Sequence, residues 1–167
     1  MSAPARAVRD WVEGFVIRLG LCPFAARPFR EGMVDFPVCP EHEAEPAFDW
    51  TVTQLQAFIT VPRPPAATWL LIYPEALNNF AEFLDFLAAA EELCEASGAD
   101  ALVQFAHFHP AYRFADVPEE DPANATNRSP YPVLQLLLVE GVAEAVRSYP
   151  DAEAIPARNV ALLRGLG

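Results

Sequence analysis

WLLIYPEALNNFAEFLDFLAAAEELCEASGADALVQFAHFH, residues 69–109, decides how this chain folds. Its first five residues, Trp69 to Tyr73, are apolar without alternation, as a strand covered on both faces must be. Such a strand belongs at a sheet centre. Leu77, Phe80, Phe83, Leu84, Leu87, Ala90 and Cys94 then form the stripe of an amphipathic helix, closed by Ser97 and Gly98. Ala101 to Phe108 supplies a further strand. Strand, helix and strand in that order are the unit from which parallel sheets are wound, through right-handed crossovers.

Toward the N-terminus, Val8, Trp11, Val12, Phe15, Val16 and Leu19 predict a helix over residues 5–19, ended by Gly20. Met33 to Val38 alternates, with Val34, Phe36 and Val38 on one face, and Pro37 assigns it to an edge. Leu55, Phe58 and Ile59, with Thr51 or Val52 a turn earlier, mark a helix that stops before Pro62. Beyond residue 109 comes a polar, proline-punctuated loop, after which Ser129 is placed to cap a helix with Pro130 in its first turn. Leu134, Leu137, Leu138 and Val142 supply that helix's apolar positions, and a last helix starts at Pro156. The expectation is one α/β domain over residues 1–167, with a small, mainly parallel sheet of about three strands flanked by helices. Its parts are an N-terminal helix (5–19), an α/β core (32–109), a functional loop (110–128) and C-terminal helices (129–164).

Hydrophobic residues make up 53% of the chain and charged ones 20%, so it can bury a real core and is not a disordered polymer. Eleven basic against twenty-three acidic side chains leave a net charge of −12, which repels phosphate backbones and anionic lipid. Neither nucleic acid nor a membrane is an expected partner. All eleven basic residues are Arg. Without Lys there is no Schiff base, no phosphate-loop lysine and no anchor for pyridoxal phosphate. The seven Gly are never clustered, so no NAD or FAD cradle is expected. The four Ser include no G-x-S-x-G nucleophile elbow. No run reaches the roughly 18 to 20 apolar residues of a membrane span. Arg6, Arg9, Asp10 and Glu13 interrupt what a signal peptide would keep apolar, and a cytoplasmic address is expected. Cys22, Cys39 and Cys94 are odd in number and lack C-x-x-C spacing, so all three are expected to be thiols. Nothing in the pattern fixes an oligomeric state.

Three places could carry chemistry. His107 and His109 share one strand face about 7 Å apart, a spacing that suits one divalent metal ion, with Asp121 or Cys22 as further ligands. The same pair could instead move protons, or hydrogen-bond loop carbonyls and hold the strand end. Cys22 precedes Pro23; at the start of a short helix through Phe24 to Arg27 its thiol would be activated, whereas between Leu21 and Phe24 it would be core filler. Asn124, Thr126, Asn127, Arg128 and Ser129 combine N–H groups, hydroxyls and one guanidinium, a set that suits a small anion. Those residues could equally close turns while Arg128 pairs with Asp121 or Glu119.

Four separated stretches together carry a resemblance. They are Leu21-Cys22-Pro23-Phe24-Ala25, Phe108-His109-Pro110-x-Tyr112-x-Phe114, Asp121-Pro122-x-Asn124-x-Thr126-Asn127-Arg128-Ser129-Pro130-Tyr131-Pro132 and Ile155-Pro156-x-Arg158-Asn159. In this order they resemble a bacterial family called domain of unknown function 1415, over nearly the whole chain. The resemblance implies no reaction. It groups Cys22, His107, His109, Asn127 and Arg128, with Tyr112 beside them, as site candidates. The expectation is a shared hollow at the end of the third strand, where Cys22, His107 and His109 act on a small, anionic metabolite that Arg128 clamps. The alternative is a non-catalytic module for a small ligand or a protein, in which these motifs are a polar network that fixes the loop onto the sheet.

Overall fold

In the computed structural model, which describes residues 1–167, the strands are β1 (Val34–Asp35), β2 (Thr68–Ile72), β3 (Val103–Phe108) and β4 (Val133–Leu138). The helices are α1 (Ala3–Trp11), α2 (Ala26–Arg30), α3 (Ala44–Thr60), α4 (Phe80–Ser97), α5 (Val139–Ser148) and α6 (Ile155–Leu166). Local chemistry sets their ends. Ser2 Oγ accepts from the Ala5 N–H at 3.4 Å and so caps α1, with proline in its first turn. Asn79 Oδ1 accepts from the Glu82 N–H at 3.0 Å and starts α4, and Gly98, at φ +79°, ends it. Leu77 therefore precedes the helix whose stripe it extends. The N-terminal helix widens over Val12–Ile17 into π geometry, closed by the Leu21 N–H on the Val16 carbonyl at 2.9 Å.

The sheet has four strands in the order β1-β2-β4-β3, one more than expected, and it is mixed. β1 pairs parallel with β2, while β4 is antiparallel to both β2 and β3, so β1, β2 and β3 share one direction. The additional strand lies within residues 129–142, where a helix was expected. Val133-Leu134-Gln135-Leu136-Leu137-Leu138 has helical spacing at Leu134, Leu137 and Leu138, yet it is a short apolar run between prolines and helix α5. Periodicity alone does not distinguish such a run, covered on both faces, from a buried helix segment. Ser129 caps no helix; its hydroxyl donates to the Tyr131 carbonyl at 2.5 Å. The edge segment is also shorter than expected, with regular pairing at Val34 and Asp35 and one isolated bridge from Val38 to Ile72.

Each face of the sheet has its own core. Leu71, Tyr73, Val103, Leu134 and Leu136 face α3 and α4, where they meet Leu55, Phe58, Phe83 and Leu87. Leu70, Ile72 and Val133 face the other way and meet Ala5, Val8 and Val12 of the N-terminal helix. Strand alternation thus divides neighbours in sequence between two different environments.

Candidate functional site

The loop from His109 to Pro132 is tied to the end of β3 by its polar residues. His109 is 1% exposed, its Nε2–H donates to the Leu77 carbonyl at 2.9 Å, and its Nδ1 accepts from the Ala111 N–H at 3.0 Å. Both ring nitrogens are engaged, which fixes the neutral tautomer. Burial pushes the imidazoles of His109 and His107 below their ordinary range. His107 Nδ1 pairs with the Tyr112 hydroxyl at 3.2 Å, ring stacked on ring. Asn127 clasps the strand end twice: its Nδ2–H donates to the His107 carbonyl at 2.9 Å, and its own carbonyl accepts from the His109 N–H at 3.0 Å.

Arg128 donates to the carbonyls of Tyr112 and Glu119, both at 2.9 Å, rather than to a carboxylate. Asn124, wholly buried, accepts from the Phe114 N–H and donates to the carbonyls of Pro118 and Glu119. Thr126 bonds only the Ala123 carbonyl. Asp121 accepts from Ala123 N–H and from Arg164 through two contacts, 3.2 and 2.9 Å. The Arg164 guanidinium holds the Asp121 carboxyl below its usual range. Asp121 is thus committed to α6 and away from the histidines. No three His, Cys, Asp or Glu side chains are grouped as metal ligands, so His107, His109 and Asp121 do not form the expected set.

Cys22 lies elsewhere. It sits in a turn before α2, which begins at Ala26, so the thiol has no helix N-terminus behind it. Burial pushes its pKa up, and the N–H groups of Phe24 and Ala25 offset only part of that. Of the two readings of Cys22, the geometry fits the unactivated one. The turn is held from the far end of the chain: Arg158 donates to the Gly20 carbonyl at 2.6 Å, and Asn159 to the Leu21 carbonyl at 2.7 Å. The four sequence motifs thus join in two pairs, the first with the fourth and the second with the third.

Arg164 and Asp121 link the two pairs through α6, yet the histidines and Cys22 fall on opposite faces of the sheet. His107 stands opposite Leu134 on the α3/α4 face, and His109 packs on Phe80 and Phe83 of α4. Cys22 lines a cavity on the α1 face, together with Gln104, Ala106 and Phe108 of the same strand β3. The expected hollow shared by Cys22, His107 and His109 is not formed, because residues 104, 106 and 108 point away from 105 and 107.

The cavity has a volume of about 320 Å³. Its floor is the sheet, from Thr68 and Leu70 to Gln135 and Leu137; its walls are the π turn at Val12 and Val16, the Cys22 turn and α5. On the α5 side the wall is backbone against backbone: a Cβ added at Gly141 would lie 1.8 Å from the Pro65 oxygen, so only glycine admits this approach. Trp11 and Gln135, two of the residues at the lining, carry polar groups. The indole N–H of Trp11, whose ring meets Phe108 edge-on at 5.2 Å, is buried without a partner. Gln135 donates one amide N–H to Thr68 Oγ at 3.0 Å, and Thr68 donates to the Leu136 carbonyl at 2.7 Å.

The sequence pattern gave no site role to Trp11, Gln104, Gln135 or Gly141, nor an anchoring role to Arg164 or to Arg158, which stood only within the fourth motif. A legible signal existed for the glutamines, since each interrupts an apolar strand run on one alternating face. Trp11 offered none, being one more apolar position on a helical stripe.

A family model described as protein of unknown function (DUF1415) matches residues 4–167, and the chain belongs to that family. No curated protein and no solved structure matches it. No helix is long and apolar enough to cross a membrane.

Proposed function

For this member of the DUF1415 family we propose a non-catalytic role, the binding of a small apolar molecule in the cavity between the sheet and the N-terminal helix. The observation that carries this reading is the unfilled space itself. Close-packed interiors leave few voids larger than a water molecule, whereas 320 Å³ falls at the lower end of the roughly 300–1,000 Å³ typical of small-molecule pockets. Apolar side chains dominate its lining, and no charged side chain lies on it. The polar motifs on the opposite face spend most of their hydrogen bonds within the chain, which supports a structural part for them: they fasten the long loop from which β4 enters the sheet.

Fluorescence of the neutral dye N-phenyl-1-naphthylamine tests the reading. Binding predicts a saturable rise with one dye per chain, weakened strongly in Ala106→Leu and Val16→Trp, which place extra side-chain volume in the cavity. Far-UV dichroism checks that both variants fold. An equal rise in folded variants, or none in the parent chain, contradicts the proposal.

A further inference from the structure

A second hollow, a groove of about 540 Å³, runs between the N-terminal helix and the outer side of β1. It is separate from the cavity over the sheet, although Val34 borders both. We infer that this groove binds an extended segment of a partner protein as an added strand, one whose side chains facing α1 are apolar around a single carboxylate.

β1 is an edge strand with only β2 beside it. Three bonds show how its backbone is turned. The Thr68 and Ile72 N–H groups donate to the carbonyls of Met33 and Pro37 at 3.0 and 2.9 Å, and the Cys39 N–H donates to the Ile72 carbonyl at 2.8 Å. The odd-numbered residues thus face β2, and alternation turns the N–H and carbonyl groups of Val34, Phe36 and Val38 to the open side, where none has a partner in the chain. Pro37 interrupts the ladder toward β2, because the N–H it lacks belongs to that side; the open side keeps its three donors. Val34, Phe36 and Val38 are half-buried and line the groove. An edge of this kind is a template for another chain, and from residue 34 to 38 it offers about 13 Å, room for about five residues.

Charge selects the partner. Residues 1–30 hold five Arg against Asp10 and Glu13, in a chain whose net charge is −12. Arg9 lies on the groove, its guanidinium 4.9 Å from the centre of the Phe29 ring. Its ion pair with Glu13, 3.6 Å long and solvent-exposed, holds it weakly, so an incoming carboxylate can claim it. Around Arg9 the wall is apolar, from Ala5 and Phe29 to Phe36 and Val38. Asp35 is the one carboxylate on the lining, and alternation turns its side chain to the face opposite Val34 and Phe36, which pack with α1.

Titrating the isotope-labelled full chain with three peptides tests the inference: acetyl-VTETVT-amide, its lysine counterpart acetyl-VTKTVT-amide, and the first peptide N-methylated at every residue. The first should shift the amide signals of Val34, Phe36 and Val38 and slow their hydrogen exchange. The lysine peptide should bind about three- to tenfold more weakly, since its cation meets Arg9. The N-methylated peptide should lose about tenfold or more, having no N–H to give to the edge. Arg9→Gln, with its fold checked by far-UV dichroism, should weaken the first peptide about two- to fivefold, the worth of one exposed ion pair. Absence of shifts at the three amides overturns the inference. So does equal binding of the lysine or the N-methylated peptide, or an affinity that Arg9→Gln leaves unchanged.

Discussion

His109 donates its Nε2–H to the carbonyl of Leu77 across 2.9 Å, and Leu77 holds a left-handed backbone conformation at φ +64°. A leucine there costs on the order of 1–3 kcal/mol and persists only where its surroundings over-determine it. The Leu77 side chain is 2% exposed in the α3/α4 core, so packing holds one end of the residue and the imidazole holds the other. The histidine that sequence reasoning offered to a metal or a substrate is thus engaged at both nitrogens in fixing the chain before α4.

His109→Phe keeps the ring and deletes both hydrogen bonds, leaving the Leu77 carbonyl and the Ala111 N–H unpaired. At roughly 1–3 kcal/mol for each such buried group, the loss should total about 2–6 kcal/mol in urea unfolding. A loss below about 0.5 kcal/mol would show that the network does not carry the loop.

The same burial sets a pH dependence. His109 and His107 have folded-state pKa values lowered from 6.5, chiefly by desolvation, so between the folded and unfolded values the unfolded chain binds more protons. Their contribution to stability is fully present above about pH 6.5 and is lost as pH falls below it toward the folded values. Urea midpoints should therefore drop from pH 7.5 to 5.5, and the drop should be smaller in His109→Phe. A midpoint rising over that interval contradicts the burial of these neutral rings.

Two glycines should respond oppositely to alanine. At Gly141 the added Cβ would meet the Pro65 carbonyl at 1.8 Å, so α5 must move off the 65–66 segment, at a cost of about 1–3 kcal/mol. At Gly165, within α6, the Cβ enters open space, and the helix should gain up to about 1 kcal/mol from higher propensity. Thermal unfolding of the two variants checks the pair, and equal effects would deny the close α5 approach that forms the cavity wall.

Cys22 should alkylate slowly. With its pKa raised by burial, its rate with iodoacetamide should climb only at pH above the range where a free thiol ionises, near 8.5. Mass spectrometry of the labelled peptide reads this residue apart from buried Cys39 and Cys94. A rate plateau near pH 7 would mark an activated thiolate and reinstate the helix-capped reading.

The contrast between β2 and β4 shows what the sequence could reveal. Trp69 to Tyr73 and Val133 to Leu138 are both short apolar runs, but the first is followed by the clear stripe of α4, and its place as a strand follows. The second stands after a loop and before a helix, so helix and strand fit its pattern equally, and the β2 and β3 ladders decide the matter. One strand more made the sheet mixed and put β3 at an edge. The site failed for a related reason. Cys22, His107 and His109 were each legible as reactive types, but which face of β3 meets which helix is a tertiary fact, and alternation places His107 and Ala106 in different cores. The cavity left almost no trace, since absent volume has no residue of its own.

Binding of a small molecule on the α1 face of the sheet is read directly by chemical-shift mapping. Titrating isotope-labelled chain with 2-naphthol should shift the methyl signals of Val12, Val16, Leu70, Leu137 and Val142, while the backbone signals of Tyr112, Asn127 and Arg128 stay in place. Shifts confined to that second group, or none in either, would contradict it.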